Sequence, residues 1–523
     1  MRTPRRRFLQ LAGGALALAL GRGGTARARE ETGAPRIHAG TANHRLGPAG
    51  RRRPTRLTPL PSFKSYPGAE RVALPRPEPG PERALAALVR DPAPGPGFQA
   101  GGLDLGQLGR LLHLTNGITG DPRAGLRAAP SAGALYAGEV YVVAERIRDL
   151  PPGLYSYAVA EHALLRLRSG SLAGEVLRAL ESPRALEKAA AFFLLSNVFD
   201  RYTWRYANRG YRYALIDSGH IGENLRLAAG AEGLAEAGPR RFHDDALHAL
   251  LAIDGRAEAV CAVHAVGAPG PSREESGAAA EALRWLGERQ ELAPGSLRAE
   301  GHLTDRYHAA TMLVPARAEG PPSAVPPAPA PAAPDLALPA ALPPPAAGVG
   351  ACIRKRRSPG RFLEQSIACE ELAFALEMAG GHAALTRTPG VELSLVAHRV
   401  RGLAPGLYRF APAGPGLARV REGEQAQALV RACRGQDHAG RAAVALASVG
   451  RFARSRSALG DRSYRDQLLE AGAIAQRIYL AAEAAGLAAR NLAAFTDQDL
   501  NELFALDGRS EAVLHLTVLG HRA

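Results

Sequence analysis

Sliding the chain along itself by 253 residues lays Tyr211–Leu234 (YRYALIDSGHIGENLRLAAGAEGL) over Tyr464–Leu487 (YRDQLLEAGAIAQRIYLAAEAAGL) without a gap, with 11 of the 24 positions identical. The same register continues through Phe242/Phe495, Asp244/Asp497, Leu247/Leu500, Asp254-Gly-Arg/Asp507-Gly-Arg and Glu258-Ala-Val/Glu511-Ala-Val to Gly267/Gly520. Backwards it reaches Pro152-Gly-Leu-Tyr and Pro405-Gly-Leu-Tyr. Chance does not hold one ungapped register over so many landmarks. The chain is a tandem duplication, and this bounds every later reading, because each local motif belongs to one of two copies. A length of 523 residues also exceeds what one hydrophobic core supports.

Each copy reads as α+β. Residues 139–146 (EVYVVAER) and 392–399 (ELSLVAHR) have strand composition, and a Pro-Gly-Leu-Tyr turn leads into the next strand. Within 211–234, Leu215, Ile221, Leu225 and Ala228/Ala229 recur on one side of a helix that stops near Gly233, as its twin stops near Gly486. The last strands are expected at 257–266 and 510–519. The expected organisation is a signal peptide over 1–28, a poorly ordered leader over 29–60, and a first domain over 61–267. A helical connection over 268–314 and a Pro/Ala-rich, extended linker over 315–350 then lead to a second domain over 351–523.

The first residues, MRTPRRRFLQLAGGALALALGRGGTARARE, carry a charged start and an apolar run from Leu9 to Leu20. That run is too short for a bilayer span but suits a signal-peptide core, with Ala26-Arg27-Ala28 as an A-x-A cleavage site. Arg5-Arg6-Arg7-Phe8-Leu9 resembles the twin-arginine export motif, so export to the periplasm is expected, with no stable membrane span in the mature chain. The formal charge of +15 raises polyanion binding as a function. The cations are scattered among acids, however, and only Lys64, Lys188 and Lys355 are lysines. No basic helix and no aromatic-interleaved motif is present, so a nucleic-acid partner is not expected. Cys261, Cys352, Cys369 and Cys433 show no CxxC pair and no metal-ligand spacing, and read as isolated thiols with a disulfide left open.

The copies differ at two places. Copy one carries the small-residue loop Pro130-Ser-Ala-Gly-Ala before its strand, where copy two has Ala383-Ala-Leu-Thr-Arg. Copy two carries Arg356-Arg357-Ser358-Pro359-Gly360-Arg361-Phe362, where copy one has Pro92-Ala-Pro-Gly-Pro-Gly-Phe. Taken alone, the first is a tight turn before a buried strand and the second a solvated basic run. Together with Phe63-Lys-Ser-Tyr-Pro, the Pro-Pro-Gly-Leu-Tyr turn and Arg209-Gly-Tyr-Arg-Tyr-Ala-Leu-Ile-Asp-Ser-Gly-His, the stretch from Arg127 resembles the SagB-type dehydrogenases, the azoline-oxidising branch of the flavin nitroreductase superfamily. The resemblance covers nearly all of 60–267 and most of 336–520.

That resemblance implies two nitroreductase-like domains, each a mixed central sheet flanked by helices, pairing as an intramolecular pseudo-dimer. It implies FMN held between the two copies. Loop and arm that meet on one flavin come from different subunits in this family, so one complete composite site is expected. The arm's Arg356, Arg357, Ser358 and Arg361 would bind the phosphate, since guanidinium forks hold it bidentately and stay charged. Pro130, Ser131, Ala132 and Gly133 would let the backbone approach the flavin ring, with Arg127 donating to its edge. The family's catalytic Lys-Tyr pair falls on Arg205-Tyr206, a departure, because arginine cannot act as a base. Tyr206 could act if Arg205 lowers its pKa from about 10. It reads equally as a packing residue, and Ala458-Leu459 in copy two offers neither role. His220 is read as a satisfied helix-start histidine, and His243-Asp244-Asp245 as a helix start. The expected function is hydride transfer between flavin and a small-molecule or peptide-derived substrate. The alternative is a catalytically decayed scaffold or binding protein. Substrate and electron partner are not legible.

Overall fold

The computed structural model of the chain describes residues 37–39, 41–43, 60–90, 97–181, 183–271, 308–309, 311–312, 334–341, 346–380, 390–412, 415–452 and 460–523. In copy one these form β1 (Glu70–Ala73), α1 (Leu105–Asn116), β2 (Gly138–Ala144), β3 (Gly153–Ala158), β4 (Ala163–Ser169), β5 (Ala191–Val198), α2 (Asp200–Tyr206), α3 (Gly210–Ala231), β6 (Ala235–Ala237), α4 (Asp244–Leu251) and β7 (Glu258–Gly267). Copy two supplies β8 (Leu336–Ala337), α5 (Val349–Lys355), α6 (Cys369–Gly380), β9 (Val391–Ala397), β10 (Gly406–Ala411), β11 (Gly416–Glu422), β12 (Val444–Arg451), α7 (Ser463–Ala484), β13 (Ala488–Asn491), α8 (Asp497–Leu503) and β14 (Glu511–Gly520).

Each copy is built on a seven-stranded sheet, ordered β1-β4-β3-β2-β5-β7-β6 in the first and β8-β11-β10-β9-β12-β14-β13 in the second. The α+β class holds, but the expected mixed sheet is antiparallel at every neighbouring pair, in keeping with the tight turns joining β2–β3–β4 and β9–β10–β11. Even the irregularities repeat, since the register shifts at Leu154/Tyr155 and Leu195/Ser196 recur at Leu407/Tyr408 and Ser448/Val449. Both faces of the central strands are covered. Val140, Val142, Phe193 and Leu195 pack with α3 residues such as Leu225, while the alternate Tyr141, Val143, Phe192 and Leu194 pack with Leu247 and Leu250 of α4. This two-sided burial explains why β2 and β5 read as continuous apolar runs rather than alternating ones.

The copies join through α3 and α7, which cross at Gly219 and its equivalent Gly472. A Cβ on Gly219 would run into the Leu469 carbonyl, and one on Gly472 into the Ile216 carbonyl, so the backbones meet where only glycine fits. The cores merge there. Tyr211, Tyr213 and Leu215 belong to a cluster made mostly of copy-two residues, and Phe374, Met378 and Leu480 to a copy-one cluster.

Two buried ion clusters flank the crossing in matching positions. Asp244 accepts from Arg462 and Arg465, both at 2.6 Å, and Asp497 accepts from Arg209 and from Arg212, the latter at 2.5 Å. Burial pushes both carboxyls up, but each arginine pair outweighs it and holds them well below the usual carboxylate range. Each cluster is closed by a short segment. Thr41 accepts from Arg212 at 2.7 Å and lies 3.4 Å from the Tyr464 hydroxyl, while Thr311 lies 3.1 Å from the Tyr211 hydroxyl. These segments read His38-Ala-Gly-Thr and His308-Ala-Ala-Thr, so the repeat includes a leader for each copy, offset by 308 − 38 = 270 residues rather than 253.

The leader expected to be poorly ordered therefore contributes His38 and Thr41 to the buried interior, because their polar groups meet the arginine clusters. The end of the Pro/Ala-rich stretch likewise joins the fold. Leu336 and Ala337 pair with Leu417 and Gly416 at the sheet edge, and α5 begins at Val349. Residues 1–36, most of 268–333, Pro92–Pro96, Ala383–Arg387 and Ala458-Leu459 lie outside the described residues. All four cysteines are free thiols. Among the described residues no helix is long and apolar enough to cross a membrane.

Candidate functional site

A cavity of about 740 Å³ opens between the copies, and its lining comes from both. Copy one contributes Pro130, Ser131, Ala132, Gly133 and Ala134, together with Arg205, Tyr206, Tyr213 and Asp217. Copy two contributes Arg356, Arg357, Ser358, Tyr479, Arg490, Asn491 and His515. The loop kept by one copy and the arm kept by the other thus face one space. The arm follows Phe362's alignment with Phe98: each of these phenylalanines bridges the segment beyond its own copy's last strand, at Arg522 and Pro269 respectively.

The loop is held by a hydrogen-bond chain. Tyr136 N–H donates to Ser131 Oγ at 2.8 Å, the Ser131 hydroxyl donates to Tyr202 Oη at 2.7 Å, and the Tyr202 hydroxyl donates to Asp217. Ala132 N–H also donates to Asp217, at 3.2 Å. Burial pushes the Asp217 pKa up to about 7, against the pull of these donors. Gly133 sits at φ +63°, and a Cβ there would strike the Tyr206 hydroxyl, so this position demands glycine twice over.

The arm presents guanidinium groups that no carboxylate neutralises among the described residues. Arg356 is buried, with its Nε and Nη2 donating to the carbonyls of Ala128 and Arg127 at 3.1 and 3.2 Å, and it lies over the Tyr479 ring at 5.2 Å. Arg357 bonds only backbone carbonyls and Thr119, and Arg490 the Pro359 carbonyl at 2.7 Å. The Ser358 hydroxyl is 2.7 Å from that of Tyr479. His515 is buried with both ring nitrogens unpartnered, and burial lowers its pKa to about 3, so the ring is neutral.

Two expected residues stand elsewhere. Arg127 is sandwiched between Phe63 and Tyr136, 5.2 and 4.6 Å from their ring centroids, and its guanidinium donates to the Ser62 and Gly138 carbonyls. It does not line the cavity; its carbonyl anchors Arg356 instead. Arg361 is exposed and also outside the lining. Tyr206 lines the cavity beside Arg205, but the condition set for its acting as a base, a lowered pKa, is not met. Burial pushes it up to about 12 and outweighs the Arg205 charge, so at neutral pH the hydroxyl keeps its proton. His220 lies within α3 rather than at its start, with its ring nitrogens 2.9 Å from Gln476 Oε1 and 2.8 Å from Asn491 Nδ2.

The 253-residue shift carries Tyr213, Ile216, Asp217, Tyr479, Asn491, Ala493 and His515 onto Asp466, Leu469, Glu470, Arg226, Gly238, Arg240 and Ala262. These seven line a second hollow, of only about 60 Å³. Its charges consume one another. Arg240 meets Glu470 at 3.0 Å, Arg226 meets Glu223 at 2.5 Å, and Arg477 lies 3.3 and 3.4 Å from Glu223 and Glu470.

Asp244, His248 and His308 cluster closely enough for a metal ion. Both Asp244 oxygens already bind arginine, and His248 Nε2 accepts the Val260 N–H at 3.2 Å. In copy two, Asn501 accepts the equivalent Val513 N–H at 2.9 Å, so position 248 is a structural acceptor in both halves. The sequence reading missed Asp217, Arg490 and His515. A signal existed, since His515 faces alanine in the other copy while the residues flanking it stay apolar in both.

The nitroreductase family model matches the chain twice, over residues 98–268 and 353–521. The crystal structure of a "putative nitroreductase" from Anabaena variabilis superposes with a TM-score of 0.73 at 24% identity, covering 94% of this chain and all of that one, and so spans both copies. A "Putative nitroreductase" of Methanocaldococcus jannaschii, MJ1384, is 29% identical over 151 residues, 29% of this chain and 75% of its own length. With both repeats matched over more than half of its length, the chain belongs to the nitroreductase family.

Proposed function

We propose that the protein is an FMN-dependent oxidoreductase with one flavin site per chain, built from the loop of copy one and the arm of copy two. The observation that carries this reading is the 740 Å³ cavity lined by both elements, a volume within the range of about 300–1,000 Å³ usual for ligand and cofactor sites. The residues fit the group. Arg356 and Arg357, cationic without a carboxylate, would bind the phosphate together with Ser358. The His515 ring nitrogens, unpartnered among the described residues, offer hydrogen bonds to the group. Gly133 and its small neighbours give a wall without side chains. When bound, FMN supplies the hydride chemistry.

This chain's residues supply the rest. Tyr206 keeps its proton at neutral pH and is suited to give it to a substrate that gains hydride, rather than to remove one from carbon. Asp217 and Ser131 hold the loop through Tyr202. The SagB-like motifs support a small or peptide-derived substrate, and residues 1–28 support export through the twin-arginine route in folded form. The test is flavin stoichiometry on the mature chain. One equivalent per chain is expected. A chain that stays colourless after reconstitution with FMN would be a scaffold, and two equivalents would contradict the single composite site.

A further inference from the structure

The cavity carries more cationic groups than a phosphate on the arm requires. The stretch from Arg201 to Arg212 holds four arginines, across α2, the turn after it and the start of α3. Arg201 binds Glu139 at 2.5 Å, and Arg209 and Arg212 share Asp497. Arg205 alone has no carboxylate partner among the described residues, and it is the one that lines the cavity. It is exposed but not loose, with its guanidinium carbon 5.5 Å from the Tyr206 ring centroid. A Cβ built on Gly133 would come within 3.2 Å of its Nη1. Tyr206 is fixed in turn by the Tyr213 ring, 4.9 Å away between centroids. Asp217, the single carboxylate among the described lining residues, is engaged by Tyr202 and Ala132 and does not neutralise Arg205.

We propose that Arg205 and the Tyr206 hydroxyl form an anion clamp, so that the substrate is a small electrophile carrying a carboxylate or phosphate monoester. This deepens the flavin reading and rests on it. The guanidinium edge presents parallel N–H donors matched to two oxygens of an oxyanion, and the adjacent phenol, holding its proton, adds a third donor. Its three neighbours in this stretch are each met by a carboxylate and Arg205 by none among the described residues, so an incoming anion would be its first such partner.

The test uses the flavin-loaded full chain, its flavin first photoreduced with EDTA as electron donor, and follows its reoxidation by 4-nitrobenzoate, 4-nitrobenzyl phosphate or the neutral methyl 4-nitrobenzoate, the half-saturating concentration being read as KM. The two anionic probes separate carboxylate from phosphate recognition. At least one should show a KM roughly tenfold or more below that of the ester. Arg205→Gln should collapse that KM ratio toward one. Benzoate and phenyl phosphate, titrated by calorimetry, give a readout without turnover, and the Kd of the preferred anion should rise roughly tenfold to a hundredfold in Arg205→Gln. Equal KM values for all three probes, or an unchanged Kd in the variant, would overturn the clamp. A chain that takes up no flavin sinks the flavin reading instead, and calorimetry on that chain still decides whether Arg205 binds the anion.

Discussion

The two hollows at the seam began as one site drawn twice, and they now differ in how their arginines are answered. In the small one, the lining residues Arg226 and Arg240 are met by Glu223 and Glu470, which Arg477 also approaches from outside the lining. In the large one, Arg205, Arg356, Arg357 and Arg490 have no carboxylate among the described residues. An arginine satisfied by its own protein closes a cavity, and one left unsatisfied keeps it open for an anion. The scaffold around both hollows has stayed symmetric, from the sheet order to the paired clusters at Asp244 and Asp497. The charge pairing differs between the hollows while the sheet order and the paired clusters are kept.

The sharpest way to break this contrast is at the arginine arm of copy two. Arg356→Ala should strip bound flavin after gel filtration, a loss of at least about tenfold in affinity for one charged hydrogen-bonding group, whereas Arg240→Ala in the closed hollow should leave one equivalent in place. Flavin absorbance per chain reads both, and a second equivalent in Arg240→Ala would mean that the closed site is merely plugged. Next in size is the shared scaffold. Asp244→Ala and Asp497→Ala each leave two buried guanidinium groups uncompensated and should each cost about 3–5 kcal/mol in urea unfolding. Costs that differ by more than about 2 kcal/mol would show that the symmetry is only geometric.

A smaller effect is expected from Asp217. Its folded pKa, about 7, lies above the unfolded value near 4. The folded state therefore holds the extra proton between these values, and stability falls as pH rises from about 4 to 7, then levels. The ceiling is about 4 kcal/mol. Asp217→Asn should flatten that slope relative to wild type, and identical slopes in the two proteins would deny Asp217 the assigned burial. The smallest effect is at Gly133. Gly133→Ala should cost about 1 kcal/mol for its positive φ and move Tyr206, seen as reduced turnover more than reduced stability.

The repeat, the α+β units and the opposed loss of loop and arm were all legible in the sequence, because each leaves a local pattern or a gap in one. Charge alone misled at Arg127, where proximity to the loop suggested a donor but two aromatic rings hold the guanidinium away. At Tyr206 the neighbouring arginine was visible and the burial was not, so the sequence left base and packing residue open, and only the burial gives the direction of the shift. Asp217 and Glu470 differ by a single methylene in the alignment, and nothing local reveals that one is held by hydroxyls and the other by arginines. The second leader escaped detection because its spacing departs by 17 residues (270 − 253) from that of the cores.

Fusing the partners has a consequence at the Gly219–Gly472 crossing. A two-chain ancestor of such a site would come apart on dilution, releasing its ligand as the subunits separate. Here the halves are tethered at a fixed local concentration, so the unfolding midpoint, and ligand occupancy at a fixed free-ligand concentration, should not depend on how much protein is in the tube.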